Sequence, residues 1–187
     1  NYTGSFSGVY TGTCTGSTIP ASPTVTVVNN CGSSVLTAGS YTGSLLWSNG
    51  ATTSSITVTA PGTYTVTQTV NGYTSVAANG TAAPRTSPQL LGGLATAVNS
   101  SAAFTYSALS TVAGTSFAWT RAAVAGISNV AANGTGDITE TLINTTSSPA
   151  IVTYVYTLTA NGCTTTQNVV VTVNPVLAAC IINTSIA

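Results

Sequence analysis

The chain has 187 residues, of which only two Arg, one Asp and one Glu are charged, and it contains no Lys, His or Met. An ordinary soluble domain carries about 25% charged residues, whereas this chain carries 2%, together with 43% apolar residues from which a core can form. The absence of His excludes catalytic Ser-His-Asp and Cys-His arrangements and zinc sites built on His. A net charge near zero with two Arg argues against nucleic-acid binding.

The first long strand is predicted at residues 63–70, where every odd position is Thr and the even positions are Tyr, Val, Gln and Val. One face of this strand is therefore a row of Thr and the other is mostly core. Pro61-Gly62 marks the turn before the strand. Asn71-Gly72 follows it and is typical of a type I′ hairpin turn.

The same pattern returns near the C-terminus, where Val152, Tyr154, Tyr156 and Leu158 alternate with Thr and Val. Asn161-Gly162 then predicts a second type I′ hairpin. No segment of ten or more residues shows helical periodicity, and no apolar run approaches the roughly 20 residues that span a bilayer. The fold class predicted is all-β, and membrane insertion is not expected.

Internal similarity predicts several β-sandwich domains in an elongated tandem array. Residues 62–84 and 151–175 each contain a long alternating strand, an Asn-Gly turn and a last strand that ends in Pro, and residues 4–30 are a looser copy. We therefore predict a C-terminal part of a truncated repeat at 1–29, a small sandwich at 30–84, a larger sandwich at 85–174 and the start of the next repeat at 175–187. A chain divided in this way is expected to belong to a longer array.

A resemblance to known repeats supports this division. The Ig-like repeats of large Bacteroidetes surface proteins are similar to residues 47–72, WSNGATTSSITVTAPGTYTVTQTVNG. The PKD-like domain of the same proteins resembles residues 117–175, which begin FAWTRAAVAGISNV and end TTQNVVVTVNP. The group includes gliding-motility adhesins of the SprB type, which are exported by the type IX secretion system. The resemblance implies a surface-filament or adhesin role.

Trp47 and Trp119 each lie on a predicted strand before a turn-rich stretch. We interpret both as core residues packed between two sheets, as in Ig-like domains. The alternative is a platform on which sugars stack, which requires exposed aromatic residues clustered with polar groups. The sequence shows no such cluster.

Arg121 and Glu140 both lie in the PKD-like stretch, and we predict an ion pair between neighbouring strands, with two solvated charges as the alternative. A surface pair of this kind contributes about 0–1 kcal/mol. Asp137 raises the question of calcium, but one or two carboxylates are too few for an ion that takes 6–8 oxygen ligands. No metal, cofactor or catalytic residue is predicted, and Asp137 and Glu140 are expected to point to opposite faces of a strand, unlike a glycosidase pair.

Four cysteines are the disulfide candidates, and Cys14 precedes Cys31 by the same 17 positions by which Cys163 precedes Cys180. Pairing inside each domain would leave Cys31 and Cys163 without partners. Pairing across each domain junction, Cys14 with Cys31 and Cys163 with Cys180, leaves no cysteine unpaired and is favoured on that ground. Geometry opposes it, because a strand at 164–173 carries the chain about 33 Å away from Cys163. Either pairing indicates an oxidising, extracellular compartment.

Three functions are consistent with these features. The first is a non-catalytic stalk in a secreted cell-surface filament or adhesin, active in gliding or attachment. The second is a carbohydrate-binding or spacer module of a secreted enzyme. The third is a fibre subunit in which residues 1–29 donate a strand to a neighbour. The expected partners are neighbouring repeats of the same chain, with like filaments, surface polysaccharide and a secretion or motility machinery as further candidates.

Overall fold

The structure, a computed structural model, describes residues 18–176. These residues form strands and connecting loops, and within them no helix has the length and apolar character needed to cross a bilayer. The strands are β1 Thr24–Asn29, β2 Ser34–Gly39, β3 Ser44–Trp47, β4 Ser55–Val58, β5 Gly62–Val70, β6 Tyr73–Thr74, β7 Ala78–Ala82, β8 Leu90–Leu91, β9 Ala95–Asn99, β10 Ala103–Tyr106, β11 Leu109–Ser110, β12 Ser116–Arg121, β13 Ala132–Thr135, β14 Ile138–Thr141, β15 Ala150–Ala160 and β16 Cys163–Asn174. The chain is all-β, as predicted.

The described chain divides into two compact units. Unit 1 comprises residues 18–29 and 34–83, and unit 2 comprises residues 30–33 and 84–176. Residues 30–33 therefore belong to unit 2 although the strands on either side of them, β1 and β2, belong to unit 1.

Unit 1 is a sandwich of two antiparallel sheets. One sheet has the order β1-β2-β4, and in the other β5 pairs with β3, β6 and β7. The first, second and fourth strands thus face the third, fifth and last, which is the arrangement of strands A, B, E and C, F, G in an immunoglobulin-like domain. The core between the sheets is formed by Leu36, Ala38, Leu45, Trp47, Ile56, Val58, Val66 and Ala82.

Unit 2 repeats this plan with a larger sheet. Its five-stranded sheet has the order β13-β12-β15-β16-β9, in which only β9 runs parallel to its neighbour within the described residues. β10 pairs with β14, and β8 pairs with β11. Phe104 of β10 and Ile138 of β14 join Trp119, Tyr154 and Tyr156 of the large sheet in one core, so the sheets pack face to face.

The alternating sequences form the strands predicted for them. β5 and β15 cover the two alternating stretches, and their buried residues occur at every second position. Both Asn-Gly turns have positive φ at both central residues, 50° and 82° at Asn71-Gly72 and 52° and 73° at Asn161-Gly162. This is the backbone of a type I′ turn, so both hairpin predictions are confirmed.

One boundary of the predicted division differs in the structure. β1, which the sequence division assigns to the truncated repeat at 1–29, pairs in register with β2 from Thr24 opposite Gly39 to Asn29 opposite Ser34. Its Val25 and Val27 pack against the core of unit 1. Residues 24–29 therefore form the first strand of unit 1, and this part of the chain is not available for donation to a neighbour. Residues 1–17 and 177–187 lie outside the described residues.

Candidate functional site

A charged cluster lies between the two sheets of unit 2. Arg121 ends β12, and its guanidinium donates to both carboxylate oxygens of Glu140 on β14, with Nε 2.8 Å from Oε2 and Nη2 3.2 Å from Oε1. Nη2 also donates to the carbonyl of Val130 at 2.7 Å. The Tyr154 hydroxyl, from β15, donates to Glu140 Oε2. Two strands of the large sheet are thus linked to one strand of the small sheet through a single carboxylate.

Burial and hydrogen bonding hold the cluster in one protonation state. The side chain of Arg121 is 1% exposed and that of Glu140 is 17% exposed. Burial opposes ionisation of Glu140, but the hydrogen bonds from Arg121 and Tyr154 and the charge of Arg121 outweigh it, so the pKa of the carboxyl is lowered. Burial, and then the hydrogen bond to Glu140, raise the pKa of Tyr154. The arrangement is an ionised Glu, an ionised Arg and a neutral Tyr, which suits cross-linking rather than proton transfer.

The predicted contact between Arg121 and Glu140 is present, but its predicted position is wrong. β12 and β14 belong to different sheets, so the pair crosses the sandwich and does not join neighbouring strands. The stabilisation expected for a surface pair does not apply, because the Arg121 side chain is buried. Removing one partner of a buried pair typically costs about 3–5 kcal/mol. The sequence indicates that both charged side chains point into the core. Arg121 lies two positions after Trp119 and Glu140 two positions after Ile138, so each is on the same strand face as a core residue.

The side chains of the other two charged residues contact backbone groups. Asp137 lies just before β14, and its Oδ1 accepts a hydrogen bond from the Ala108 N–H at 2.8 Å. Arg85 is exposed, and its Nη1 lies 3.4 Å from the carbonyl of Asn161. In residues 18–176 we find no group of three His, Cys, Asp or Glu side chains that come together as metal ligands do.

Both Trp side chains lie inside their units. Trp47 is 2% exposed and its indole N–H donates to the Thr53 carbonyl at 2.9 Å. Trp119 packs edge-on against Tyr154 with ring centroids 5.6 Å apart. A Cβ at Gly134 on β13 would lie 2.6 Å from the Trp119 ring, so only Gly leaves room for this indole. Neither Trp is placed to stack on a sugar.

Unit 1 contains a polar cluster that the sequence reading did not single out. Gln68 of β5 is 3% exposed. Its Oε1 accepts hydrogen bonds from the N–H groups of Thr42 and Gly43 at 2.9 and 3.1 Å, and its Nε2 donates to the Ala21 carbonyl at 2.7 Å. Gln68 thus fastens the segment before β1 and the turn before β3. The sequence signal was a single Gln among the inward positions of a strand that is otherwise Tyr and Val.

A disulfide joins Cys31 to Cys163, with Cα atoms 5.7 Å apart. The loop of Cys31 is also held to unit 2 by backbone hydrogen bonds, from Gly32 N to Arg85 O at 2.8 Å and from Arg85 N to Asn30 O at 2.9 Å. Since residues 30–33 are continuous with β1 and β2, the covalent ring closed by this bond runs through both units.

The favoured cysteine pairing is wrong for both of the cysteines that the structure describes. Cys31 and Cys163 bond to each other, so Cys31 does not bond to Cys14, nor Cys163 to Cys180. For Cys163 the physical reason is strand geometry. Cys163 begins β16, and the 12 residues of that strand carry the chain far from it before position 180 is reached. Cys14 and Cys180 lie outside the described residues. The disulfide indicates an oxidising, extracellular environment, as predicted.

The outward side of the five-stranded sheet, which we call the open face, carries no charge. It consists of positions 95, 97 and 99 of β9, positions 116, 118 and 120 of β12, 133 and 135 of β13, the odd positions 151–159 of β15 and the even positions 164–174 of β16. Every side chain there is Ala, Ser, Thr, Val, Ile or Asn. Val155 lies near its centre and Ile151 near the start of the middle strand, and they are 38% and 54% exposed.

A shallow groove of about 540 Å³ runs along β3 in unit 1. Tyr41, which is 37% exposed, lines it together with the hydroxyl side chains of Ser44, Thr52 and Thr69. It is a neutral site with one accessible aromatic ring.

Comparison of the sequence with protein-family models gives no match, and comparison with curated proteins gives none. Among solved structures, the chain is similar to immunoglobulin domains 1–4 of Sidekick-1, with 12% identity and a TM-score of 0.35 over 82% of this chain and 47% of that one. Extracellular domains 3–5 of Drosophila OTK give 13% identity and a TM-score of 0.35 over 82% of this chain and 60% of that one. Three N-terminal domains of the bacteriophage RB49 highly immunogenic outer capsid protein give 14% and 0.31, over 81% and 59%.

The chain thus spans less than two thirds of each of these structures. Similarity at this level carries no argument about function. The immunoglobulin-like class is defined by the sheets themselves, with strands A, B, E and C, F, G in unit 1 and a Trp on strand C of each unit.

Proposed function

We propose that the chain is a non-catalytic structural segment of a large secreted cell-surface filament or adhesin, used in gliding motility or attachment. Within the described residues the charged side chains are engaged with one another or with backbone groups. Two immunoglobulin-like units in tandem are a structure typical of stalks. The resemblance to Bacteroidetes surface repeats supports export by the type IX system and a gliding adhesin.

The observation that carries the proposal is the cysteine spacing together with the disulfide. Cys14 precedes Cys163 by 149 positions, and Cys31 precedes Cys180 by the same 149. Cys31 and Cys163 form one disulfide. Each of them has a counterpart 149 positions away, Cys180 for Cys31 and Cys14 for Cys163. That interval is close to the length of chain from the start of β1 at Thr24 to the end of β16 at Asn174. The repeat is therefore the pair of units, with one disulfide in each pair.

The experiment that tests the proposal uses an antibody raised against this chain. On a denaturing gel of material from the source organism, we expect a polypeptide of several hundred kilodaltons. Protease added to intact cells should remove it, and a strain without the type IX outer-membrane translocon should retain it inside. A discrete band near 18.5 kDa, or a large band that protease on intact cells does not reach, would overturn the proposal.

The Tyr41 groove favours carbohydrate binding as a second candidate. A neutral groove with one stacking ring and several hydroxyls suits an uncharged sugar. Titration with neutral oligosaccharides, followed by NMR of the chain and of Tyr41→Ala, tests it, with Tyr73→Ala as the control on an exposed ring outside the groove. Shifts confined to the groove and lost in Tyr41→Ala support this candidate, and an unchanged spectrum rejects it.

A further inference from the structure

We propose that the open face of unit 2 is a docking surface for the same face of a second copy of this chain. The inference depends on the isolated chain alone, so it can fail or succeed independently of whether the parent protein is a surface filament. Four properties of the face support it.

The first property is the absence of charge. The face of an exposed sheet normally carries Lys or Glu, which prevent sheets from associating, and here neither occurs at any outward position. In an isologous dimer each residue near the twofold axis meets its own copy. A charged face would repel itself in this arrangement, whereas Thr, Asn and Val can pair with themselves without that cost.

The second property is the small size of the outward side chains. No outward side chain is longer than Ile or Asn, and Ala95, Ala97 and Ala118 lower the face further. Sheets of small side chains pack at about 10 Å with strand directions within about 30° of each other. Two twisted sheets of the same hand satisfy this geometry.

The third property is the stiffness of the side chains. β-Branched residues dominate β15 and β16, including Val155, Ile151 and Val170, and their χ1 angles are already restricted. Docking therefore costs less side-chain entropy than it would for Lys, Glu or Gln. The exposed Val155 supplies apolar surface at the centre and Ile151 extends it along the middle strand, with hydroxyls and amides around them.

The fourth property is area. The five strands have 4, 6, 11, 12 and 5 residues, which at about 3.3 Å per residue and about 4.8 Å spacing give on the order of 600 Å² per copy. A dimer would bury about 1,200 Å² in total, at the lower end of the roughly 1,200–2,000 Å² of a specific interface. The corresponding face of unit 1 has strands of 4, 9 and 5 residues and offers on the order of 300 Å², which is below that range.

Analytical ultracentrifugation of the 187-residue chain tests the proposal. The wild type should show a monomer–dimer equilibrium at concentrations up to about 1 mM. Val155→Lys places a charge at the centre of the face and should weaken the dimer about 100-fold or more. The matched control, Leu46→Lys, changes an outward residue of unit 1 that is 55% exposed, and its dimer should match that of the wild type.

A mixing experiment identifies the face that the second copy contacts. Val155→Lys and Val155→Glu should each be monomeric and should form a heterodimer when mixed, because the two charges then meet. Circular dichroism of each variant verifies folding, which an outward substitution should preserve. A wild type that stays monomeric, a dimer that survives Val155→Lys, or a dimer lost in Leu46→Lys would each overturn the proposal.

Discussion

Unit 1 and unit 2 place different polar groups between sheets of similar arrangement. In unit 1 the buried group is the neutral amide of Gln68, which makes its hydrogen bonds to backbone groups. In unit 2 it is the ion pair of Arg121 and Glu140 with the Tyr154 hydroxyl. When the Trp positions are matched, Trp47 opposite Val66 and Trp119 opposite Tyr156, Gln68 corresponds to Leu158 and Arg121 to Asn49.

The difference shows two solutions to one problem. A buried polar group must be paired, and unit 1 does so with an amide whose hydrogen bonds do not depend on pH. Unit 2 uses an ion pair, which depends on both partners being present and ionised. All the carboxylates of the chain lie in unit 2, so pH should distinguish the units.

The largest expected effect is loss of the disulfide. Cys31→Ser should lower the free energy of unfolding of unit 2 by about 4 kcal/mol, because the bond closes a long loop in the unfolded chain. Urea unfolding followed by Trp119 fluorescence, in a Trp47→Phe background, measures this. The control is Cys180→Ser, which leaves the described bond intact and should change nothing. Equal destabilisation by the two variants would contradict the pairing of Cys31 with Cys163.

The next effect breaks the ion pair of unit 2. Glu140→Gln leaves Arg121 buried without a counter-charge and should cost about 3 kcal/mol. The double variant Arg121→Met with Glu140→Leu removes both charges and should cost less than the single change. Urea unfolding in the same Trp47→Phe background measures both, and a double variant that is less stable than Glu140→Gln would contradict this account of the pair.

A smaller effect breaks the amide cluster of unit 1. Gln68→Leu introduces the residue that unit 2 has at the matched position and should cost about 2 kcal/mol, because the N–H groups of Thr42 and Gly43 lose their acceptor. Trp47 fluorescence in a Trp119→Phe background reports on unit 1. Thr67→Val, at the neighbouring outward position, is the control and should stay within about 0.5 kcal/mol of the wild type. A Gln68→Leu variant as stable as this control would refute the role of the amide.

The smallest effect is the pH dependence that separates the units. The pKa of Glu140 is lowered in the folded state from an ordinary value of 4.5, so its contribution is complete above pH 4.5 and is lost as the pH falls through the folded pKa. The stability of unit 2 should therefore decrease from pH 5 to pH 3, whereas that of unit 1, which has no carboxylate side chain, should decrease less. Unfolding at several pH values, with Trp47 and Trp119 as separate reporters, measures the difference. Glu140→Gln should remove it, and an equal acid response of the two units would contradict this assignment.

Local sequence patterns predicted the elements that depend on local chemistry. The row of Thr in residues 63–70, the alternation of residues 152–158 and the two Asn-Gly turns all reappear as described. These features depend on side chains that alternate between two faces and on residues that accept positive φ, so a single sequence contains the information.

Features that depend on packing between distant segments were predicted only in part: Arg121 and Glu140 were paired correctly, but on neighbouring strands and not across the sandwich. β1 belongs to unit 1 because it pairs with β2, and Cys31 meets Cys163 across 132 positions. The ion pair crosses from one sheet to the other, which follows from the sandwich and not from sequence distance. The Gln68 side chain joins Ala21 and Gly43 to β5 through their backbone groups. Because nearly every residue has such groups, the sequence does not identify these partners.

The most direct measurement of the central claim is a disulfide map of the native polypeptide by peptide mass spectrometry. A chain built of two-unit repeats should give cysteines that recur at intervals of 149 residues. Within each repeat, the cysteine that corresponds to Cys31 should be bonded to the one that corresponds to Cys163, 132 positions further on. A polypeptide without that interval, or one in which bonds join cysteines 17 positions apart, would contradict the two-unit repeat.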